Sequence, residues 1–462
     1  MIVDAQRWEE GAARLQAGEL ALLALWGEPG FAHMALISRA SADIQLLMLA
    51  CAENRFPSVG RVHAPAIRLE RAMRDLYGLE PLGSPDTRPW LRHNEPYRFL
   101  PAEGESLHQI PVGPVHAGII EPGHFRFTAN GETVVRLEER LGYVHKGTEA
   151  LMAGAPLESA ARLAGRLSGD STVALALAFA RATEAALGID APPRATWLRA
   201  LMAELERLAN HLGDIGAVCN DAAFAILHAQ FGLLREHVLR AADASFGHRL
   251  MMDRVVPGGV SCDLAPGGEP ALRALLARLR EQFPQLAEVY DNTESLKDRT
   301  VGTGILLPAL AEQFAAGGYV GRASGRRFDA RRAPGYAPYD RLRFEVPTVQ
   351  AGDVNARVYI RIREVEQSLG LLEQLLVHLP SGPLHASLPM KSAEGTALVE
   401  GFRGDVFAWI RLAGDGRVER CHLRDPSWFQ WPLLEAAIEG NIVADFPLCN
   451  KSFNCSYSGH DL

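Results

Sequence analysis

Cysteine is scarce in this sequence and poorly spaced for metal work. Cys51, Cys219, Cys262, Cys421, Cys449 and Cys455 are the only six in 462 residues, and no two of them form a Cys-x-x-Cys pair. A disulfide framework needs dense cysteine in a small secreted chain, so reduced and mostly buried thiols are expected, at Cys51, Cys219, Cys262 and Cys421 above all. The N-terminal stretch has no basic segment followed by an apolar core, so no secretory leader is expected. No apolar run approaches the length of about 18 residues that would span a bilayer, the richest stretch being residues 173–180. Any contact with a membrane is therefore expected to run through partners. Lys and Arg are nowhere concentrated enough to form a nucleic-acid groove, which sets that partner class aside. Internal repeats and low-complexity tracts are also missing.

What is present is the balance of an ordinary folded protein, with 48% hydrophobic residues, 22% charged residues and a net charge of −8. The length exceeds one typical core, so more than one packed unit is expected. Residues 1–100 read as a small α/β domain. Residues 20–26 and 31–38 have strand composition around the turn Gly27-Glu28-Pro29-Gly30, and residues 67–77 read as a helix closed by Gly78. A connector rich in proline (Pro81, Pro85, Pro89, Pro96, Pro101) then marks the boundary.

Residues 101–462 read as the second domain. It opens with a hairpin in which residues 124–128 and 132–137 flank an Asn130-Gly131 turn. Helical stripes follow: Leu201, Leu205, Leu208 and Leu212; Leu227, Phe231, Leu234 and Val238; and Val358, Ile362, Val365, Leu369, Leu372 and Leu376. Such stripes are the core faces of a helix bundle. Val406, Ala408, Ile410 and Leu412 alternate like a half-buried strand, with a return strand after Asp415-Gly416 and a last helix over residues 432–439. The expected fold class is α+β, mainly a helical bundle with small β-hairpin elements, preceded by the small α/β domain.

Several segments far apart in the chain carry a family resemblance. They are the tail FPLCNKSFNCSYSGHDL, the segment GPVHAGIIEPGHFRF, and Tyr143-Val144-His145-Lys146-Gly147-Thr148-Glu149. Glu204-Leu205-Glu206-Arg207-Leu208-Ala209-Asn210-His211, Pro257-Gly258-Gly259-Val260, Gly321-Arg322-Ala323-Ser324-Gly325 and Arg403-Gly404-Asp405 add to them. Together these resemble the large subunit of group 4 nickel–iron hydrogenases, of the formate hydrogenlyase and hydrogenase-4 type. They are equally similar to the 49-kDa subunit of respiratory complex I, an NADH–quinone oxidoreductase. The resemblance runs from about residue 105 to the end, and agreement over such separated segments is far more specific than one motif. Leu69-Glu70-Arg71-Ala72-Met73-Arg74-Asp75-Leu76-Tyr77-Gly78-Leu79 and Ser84-Pro85-Asp86-Thr87-Arg88-Pro89-Trp90-Leu91 resemble the neighbouring 30-kDa subunit, which implies a fusion of the two. The first 60 residues carry little of that likeness. The resemblance implies a bundle of the hydrogenase large-subunit type.

In that family two Cys-x-x-Cys pairs hold nickel and iron, because soft thiolates are needed to bridge the metals. Here the first pair aligns with Ser168 and Ser171, after Arg166, and the second with Ser456 and Gly459. A neutral hydroxyl cannot replace a thiolate, so a nickel–iron centre is not expected. The metal set that remains is Cys449, Cys455 and His460. The quinone-head histidine and tyrosine of complex I align with Ile120 and Gly169, although His116 or His124 could substitute. Glu121 falls where the hydrogenases pass protons, and a carboxyl in a partly dry pocket would have a raised pKa suited to relay. An ordinary loop glutamate before a proline fits the same residue.

The resemblance implies a polar cavity built from His116, Glu121, His145, Arg166, Ser168, Asp170, Ser171, Ser456 and His460. Within it, Glu121, His116, Arg166 and Asp170 are the catalytic candidates. His116, His145, Ser168, Ser171, Ser456 and His460 are the candidates for binding a cofactor. Asp170 reads equally as the N-cap of the following helix, His145 and His211 as packing or hydrogen-bonding residues, and Arg166 as the partner of a carboxylate. The chain has no ligand set for an iron–sulfur cluster of its own. Electrons would come from a small iron–sulfur subunit resembling the one that carries cluster N2, beside antiporter-like membrane subunits on the cytoplasmic face. Two roles follow: electron transfer, to a quinone or another acceptor, or proton transfer, without a metal centre; or a catalytically silent structural subunit.

Overall fold

The computed structural model describes residues 2–116 and 120–462. Ala117, Gly118 and Ile119, just after the Gly-Pro-x-His segment, lie outside the described residues. The N-terminal part is a four-stranded sheet ordered Ile2–Val3, Ile44–Ala50, Phe31–Ser38, Leu20–Glu28. Helix Ala5–Gln16 packs on it, with the Asp4 side chain accepting the Arg7 N–H as its N-cap. The expected hairpin is present, but Gly27 and Glu28 belong to the strand and the turn is only Pro29-Gly30, because Glu28 pairs with Phe31. Gly27 fits there for lack of a side chain: an added Cβ would lie 2.7 Å from Leu79. Helix Ile67–Tyr77 ends at Gly78 in the left-handed conformation, as expected. Pro81 lies in the strand Glu80–Leu82, paired parallel to Arg55–Pro57, so the irregular connector starts later than the prolines suggest.

The next sheet has three strands, Leu107–Val112, His124–Asn130 and Thr133–Arg140. A bulge at Thr128/Ala129 slips the register, so Asn130 pairs with Thr133 and the turn is Gly131-Glu132 rather than Asn130-Gly131. The leucine stripes lie on helices Pro193–Asp221, Ala225–Phe246 and Val354–Val377, and all of their residues are buried. Helices Thr172–Leu187 and Gly268–Asp291 complete the long elements. No helix among the described residues is long and apolar enough to cross a membrane.

The C-terminal sheet runs Ala393–Glu400, Asp405–Leu412, Val418–Arg424. Its central strand is buried on both faces rather than one. Phe407 and Trp409, on the face expected to be exposed, pack against Ala24, Trp26 and Ile37 of the N-terminal sheet. At this seam the Trp26 ring stacks on His33 (5.0 Å, 11°) and on His422 (4.7 Å, 8°). The last long helix spans Ser427–Ala437, five residues earlier than proline alone suggests, because the Asp425 carboxylate accepts the Ser427 N–H at its start. Beyond it the tail forms two short helices, Phe446–Phe453 and Tyr457–Asp461.

Two outcomes follow. Trp409→Ala should cost about 3–5 kcal/mol by emptying the seam, read as a lower urea midpoint together with faster protease cleavage in residues 83–106. His63 is buried with no partner for Nε2, and burial pushes its pKa down to about 4 from 6.5. The unfolded chain then binds more protons between those values, so stability falls as pH drops from 6.5 towards 4. His63→Leu should flatten that part of the pH profile of the urea midpoint.

Candidate functional site

Four of the sequence candidates meet where the first turn of helix Thr172–Leu187 faces the tail. Ser168 is extended and leads through the short turn Gly169–Ser171 into the helix. Its hydroxyl donates to Asp170 Oδ1 at 2.8 Å and therefore accepts from the Ser456 hydroxyl, also at 2.8 Å. Ser456 caps helix Tyr457–Asp461, its Oγ accepting the Gly459 N–H at 2.9 Å. Ser168, Ser171, Ser456 and Gly459 thus come together, as the alignment of two distant motifs requires.

Asp170 is not the helix cap: Ser171 holds that position without a side-chain bond. Instead Asp170 pairs through both oxygens with Arg403, at 2.8 and 2.5 Å. Burial pushes the Asp170 pKa up, but the guanidinium and the hydrogen bonds from Ser168 and Ser171 leave it below its usual value. Arg403 is buried and also donates to the Asn454 carbonyl and to Ser171 Oγ. In the sequence Arg403 is visible only as part of a motif; its role needs the spatial approach of residues 233 positions apart. Asn210 donates to the Asp170 carbonyl, and Glu206 accepts the Val173 and Ala174 N–H groups at the same helix start. Burial pushes the Glu206 carboxyl up to about 8.

Of the remaining candidates, His460 and Glu121 adjoin this cluster: the His460 backbone N–H donates to the Ser456 carbonyl, and Glu121 accepts the N–H of Ser458, whose hydroxyl is 3.5 Å from that of Ser456. Arg166 forms a bidentate pair with Asp253 on the surface, both bonds 2.6 Å, at a groove of 640 Å³ with an apolar floor of Leu157, Ala161 and Val256. Glu121 is exposed rather than in a dry pocket, its carboxylate accepting the Ser458 N–H at 3.1 Å. His116 has a buried Nε2 with no partner among the described residues, and burial lowers its pKa. His145 is exposed and bonds the Asp461 carbonyl, while His211 is buried against Glu364. His460 lies against Trp428 and Trp90 with Nδ1 on Asp461, and burial holds its pKa down. The single polar cavity expected from the sequence is therefore divided. Asp170, Glu206 and Asn210 line a small space of 90 Å³, and Arg166 lines the separate groove.

The donor set does not fit a nickel–iron centre. The resemblance would put thiolates at positions that here hold three hydroxyls and a glycine; the two nearest hydroxyls bond each other at 2.8 Å, and a neutral hydroxyl is not the soft, charged donor such a centre needs. Position 459 is also filled from outside: a Cβ there would lie 2.8 Å from Asp425 Oδ2. Burial pushes the Cys449 thiol up to about 11 and raises that of Cys455 as well, so both stay protonated. Cys449 packs against Gly304 next to Arg357, away from the rings that surround His460. Among the described residues no three His, Cys, Asp or Glu side chains are grouped to hold a metal.

The Asp170–Arg403 pair should dominate local stability. Asp170→Ala leaves a buried guanidinium short of a partner and is expected to cost about 2–3 kcal/mol, less than a wholly buried pair because Asp170 is partly solvated. Asp170→Asn, which keeps the shape, should cost most of the same amount, since the charge is what pairs. Chemical denaturation of the two variants checks this.

Comparison with known proteins places the geometry. The family profile described as the respiratory-chain NADH dehydrogenase 49-kDa subunit matches residues 222–393. The chain is 32% identical to formate hydrogenlyase subunit 5 of Escherichia coli over 88% of its own length and 77% of that protein's. Hydrogenase-4 component G of the same organism is 32% identical over 88% and 76%. An NADH-quinone oxidoreductase subunit of Roseiflexus is 33% identical over 73% and 94%. The chain therefore belongs to the family of hydrogenase-4-type large subunits and respiratory-chain 49-kDa subunits.

Proposed function

We propose that this chain is a core subunit of a membrane-associated oxidoreductase complex of the hydrogenase-4 and complex I type, and that it takes part in electron or proton transfer without a nickel–iron centre of its own. The observation that carries the reading is the Ser168–Ser456 contact: the position where the resemblance would put a bimetallic site holds hydroxyls bonded to each other. The names of the relatives, a formate hydrogenlyase subunit and NADH-quinone oxidoreductase subunits among them, support the setting. A match over 88% of the chain must reach into residues 1–100, which supports reading that part as a fused 30-kDa-like domain ahead of a large-subunit bundle over residues 101–462. In this reading a small iron–sulfur subunit supplies electrons, antiporter-like subunits anchor the complex, and the chain sits peripherally on the cytoplasmic face.

Glu121 and His116 are the side chains suited to chemistry. Glu121 is an exposed carboxylate seated on the N–H of Ser458, and His116 is an imidazole whose Nε2 has no partner among the described residues, so each offers a group for proton transfer or for a hydrogen bond to a quinone carbonyl. Quinone-dependent electron transfer by the purified complex should fall about 100-fold on Glu121→Gln or His116→Ala, with the subunit composition unchanged. A second reading, a catalytically silent structural subunit, is favoured by the closed Ser168–Ser456 contact. Full activity in both variants would establish it and overturn the first reading.

A further inference from the structure

Residues 446–461 form two short helices whose last turns are buried. They are tied down at several points. Arg403, held by Asp170 at the start of helix Thr172–Leu187, donates to the carbonyl of Asn454. Ser456 uses every polar atom it has: its N–H goes to Ser427 Oγ, its carbonyl accepts from Trp431 Nε1, and its hydroxyl joins Ser168 and Gly459 N–H. Farther on, Asp461 accepts the N–H groups of Gly142 and Val144. The hydroxyl chain has one direction. Ser456 O–H points to Ser168, whose own O–H points to the charged Asp170, so each bond polarises the next.

We propose that this hydroxyl–carboxylate–guanidinium cluster is a metal-free clasp that fastens residues 446–461 to the start of helix Thr172–Leu187, so that the chain reaches its final fold with no metal supplied. The clasp also resists reversal. Asp425 is fully buried, fixed by the Ser427 N–H through Oδ1, and its Oδ2 occupies the space a side chain at position 459 would need. Restoring cysteine at the four positions would place a Cβ 2.8 Å from that carboxylate before any metal arrived. The inference rests on the family reading of those four positions, but it concerns folding and metal content rather than electron transfer.

The test uses the full chain, expressed with nickel and with a nickel chelator. Amide exchange of residues 446–461 and nickel content by mass spectrometry are read for each. Equal protection in both preparations, with nickel well below one atom per chain, is expected. Ser168→Ala with Ser456→Ala should speed exchange in residues 446–461 roughly fivefold or more by removing the hydroxyl links, while helix Pro193–Asp221 stays protected. Should that double variant not fold, Ser456→Thr serves instead: it keeps the hydroxyl and should keep the protection. Cysteine at all four positions should leave nickel uptake at the background level, and Asp425→Gly added to it should relieve the clash. Protection that appears only when nickel is supplied, stoichiometric nickel in the unaltered chain, or unchanged exchange in the folded double variant would overturn the proposal. Because no readout involves a quinone, failure here is separable from failure of the electron-transfer reading.

Discussion

Charges buried between the two longest core helices have to be paired, and the rest of the fold is arranged around that pairing. Glu204 on Pro193–Asp221 is wholly buried and accepts from Arg331, Tyr339 and Ser368 at 2.9, 2.7 and 2.6 Å. Glu364 on Val354–Val377 accepts from Arg322 and His211 at 2.7 and 2.8 Å. Arg322 continues to Glu400 on the C-terminal sheet, and Arg331 continues to Asp329. An unpaired charge in such a place costs several kcal/mol, whereas a satisfied network costs little and fixes one arrangement. Two helices, a loop and a sheet edge are therefore locked in one relative position by donors and acceptors that have no water to turn to.

The same constraint delivers the functional cluster. Glu400 ends one strand and Asp405 begins the next, so the tight connection between them carries Arg403 inward to Asp170. That connection is close against the helix Gly318–Ala323: a Cβ on Gly318 would lie 2.1 Å from the Arg403 carbonyl, and Gly318 has φ near +60°. Only glycine lets the two backbones approach so nearly. Asp405 in turn pairs with Arg424, whose Nε bonds the Leu23 carbonyl of the N-terminal sheet. Separate ion pairs thus flank this connection: Arg322 with Glu400, Arg403 with Asp170, and Asp405 with Arg424, which bonds the N-terminal sheet.

What can be read in the sequence follows from period and punctuation. The stripes at Leu201 and Val358 mark their helices because a bundle core repeats with the helical turn, and Gly78 marks a helix end because its φ is positive. The coming together of Ser168 and Ser456 is legible from two motifs aligned to one family. Other features depend on partners far along the chain. Phe407 and Trp409 alternate correctly for a half-exposed strand, but another sheet covers the second face, and periodicity carries no sign of what lies opposite. Asp170 has the sequence look of a cap; Arg403, supplied by a sheet turn, competes for the carboxylate with charge as well as hydrogen bonds and wins. Glu121 has the sequence context of a dry pocket, whereas its surface loop leaves it in water in this chain.

The core of this chain and the cluster at its tail make separable contributions to stability. The buried ionic network ties the helices to the sheet without using any atom of Ser168, Ser171, Ser456 or Gly459. The global fold therefore keeps its main constraint in the buried ionic network, and those positions bear on a local matter, the docking of the tail. Hydroxyls solve it because they can donate and accept at once, so a serine pair can close on itself and still end on a carboxylate. Thiols would not: burial holds Cys449 and Cys455 protonated, and a protonated thiol is a weak donor with little to offer a buried acceptor. The tail is thus held by hydroxyl, carboxylate and guanidinium groups together with the buried side chains of Phe446, Leu448 and Phe453.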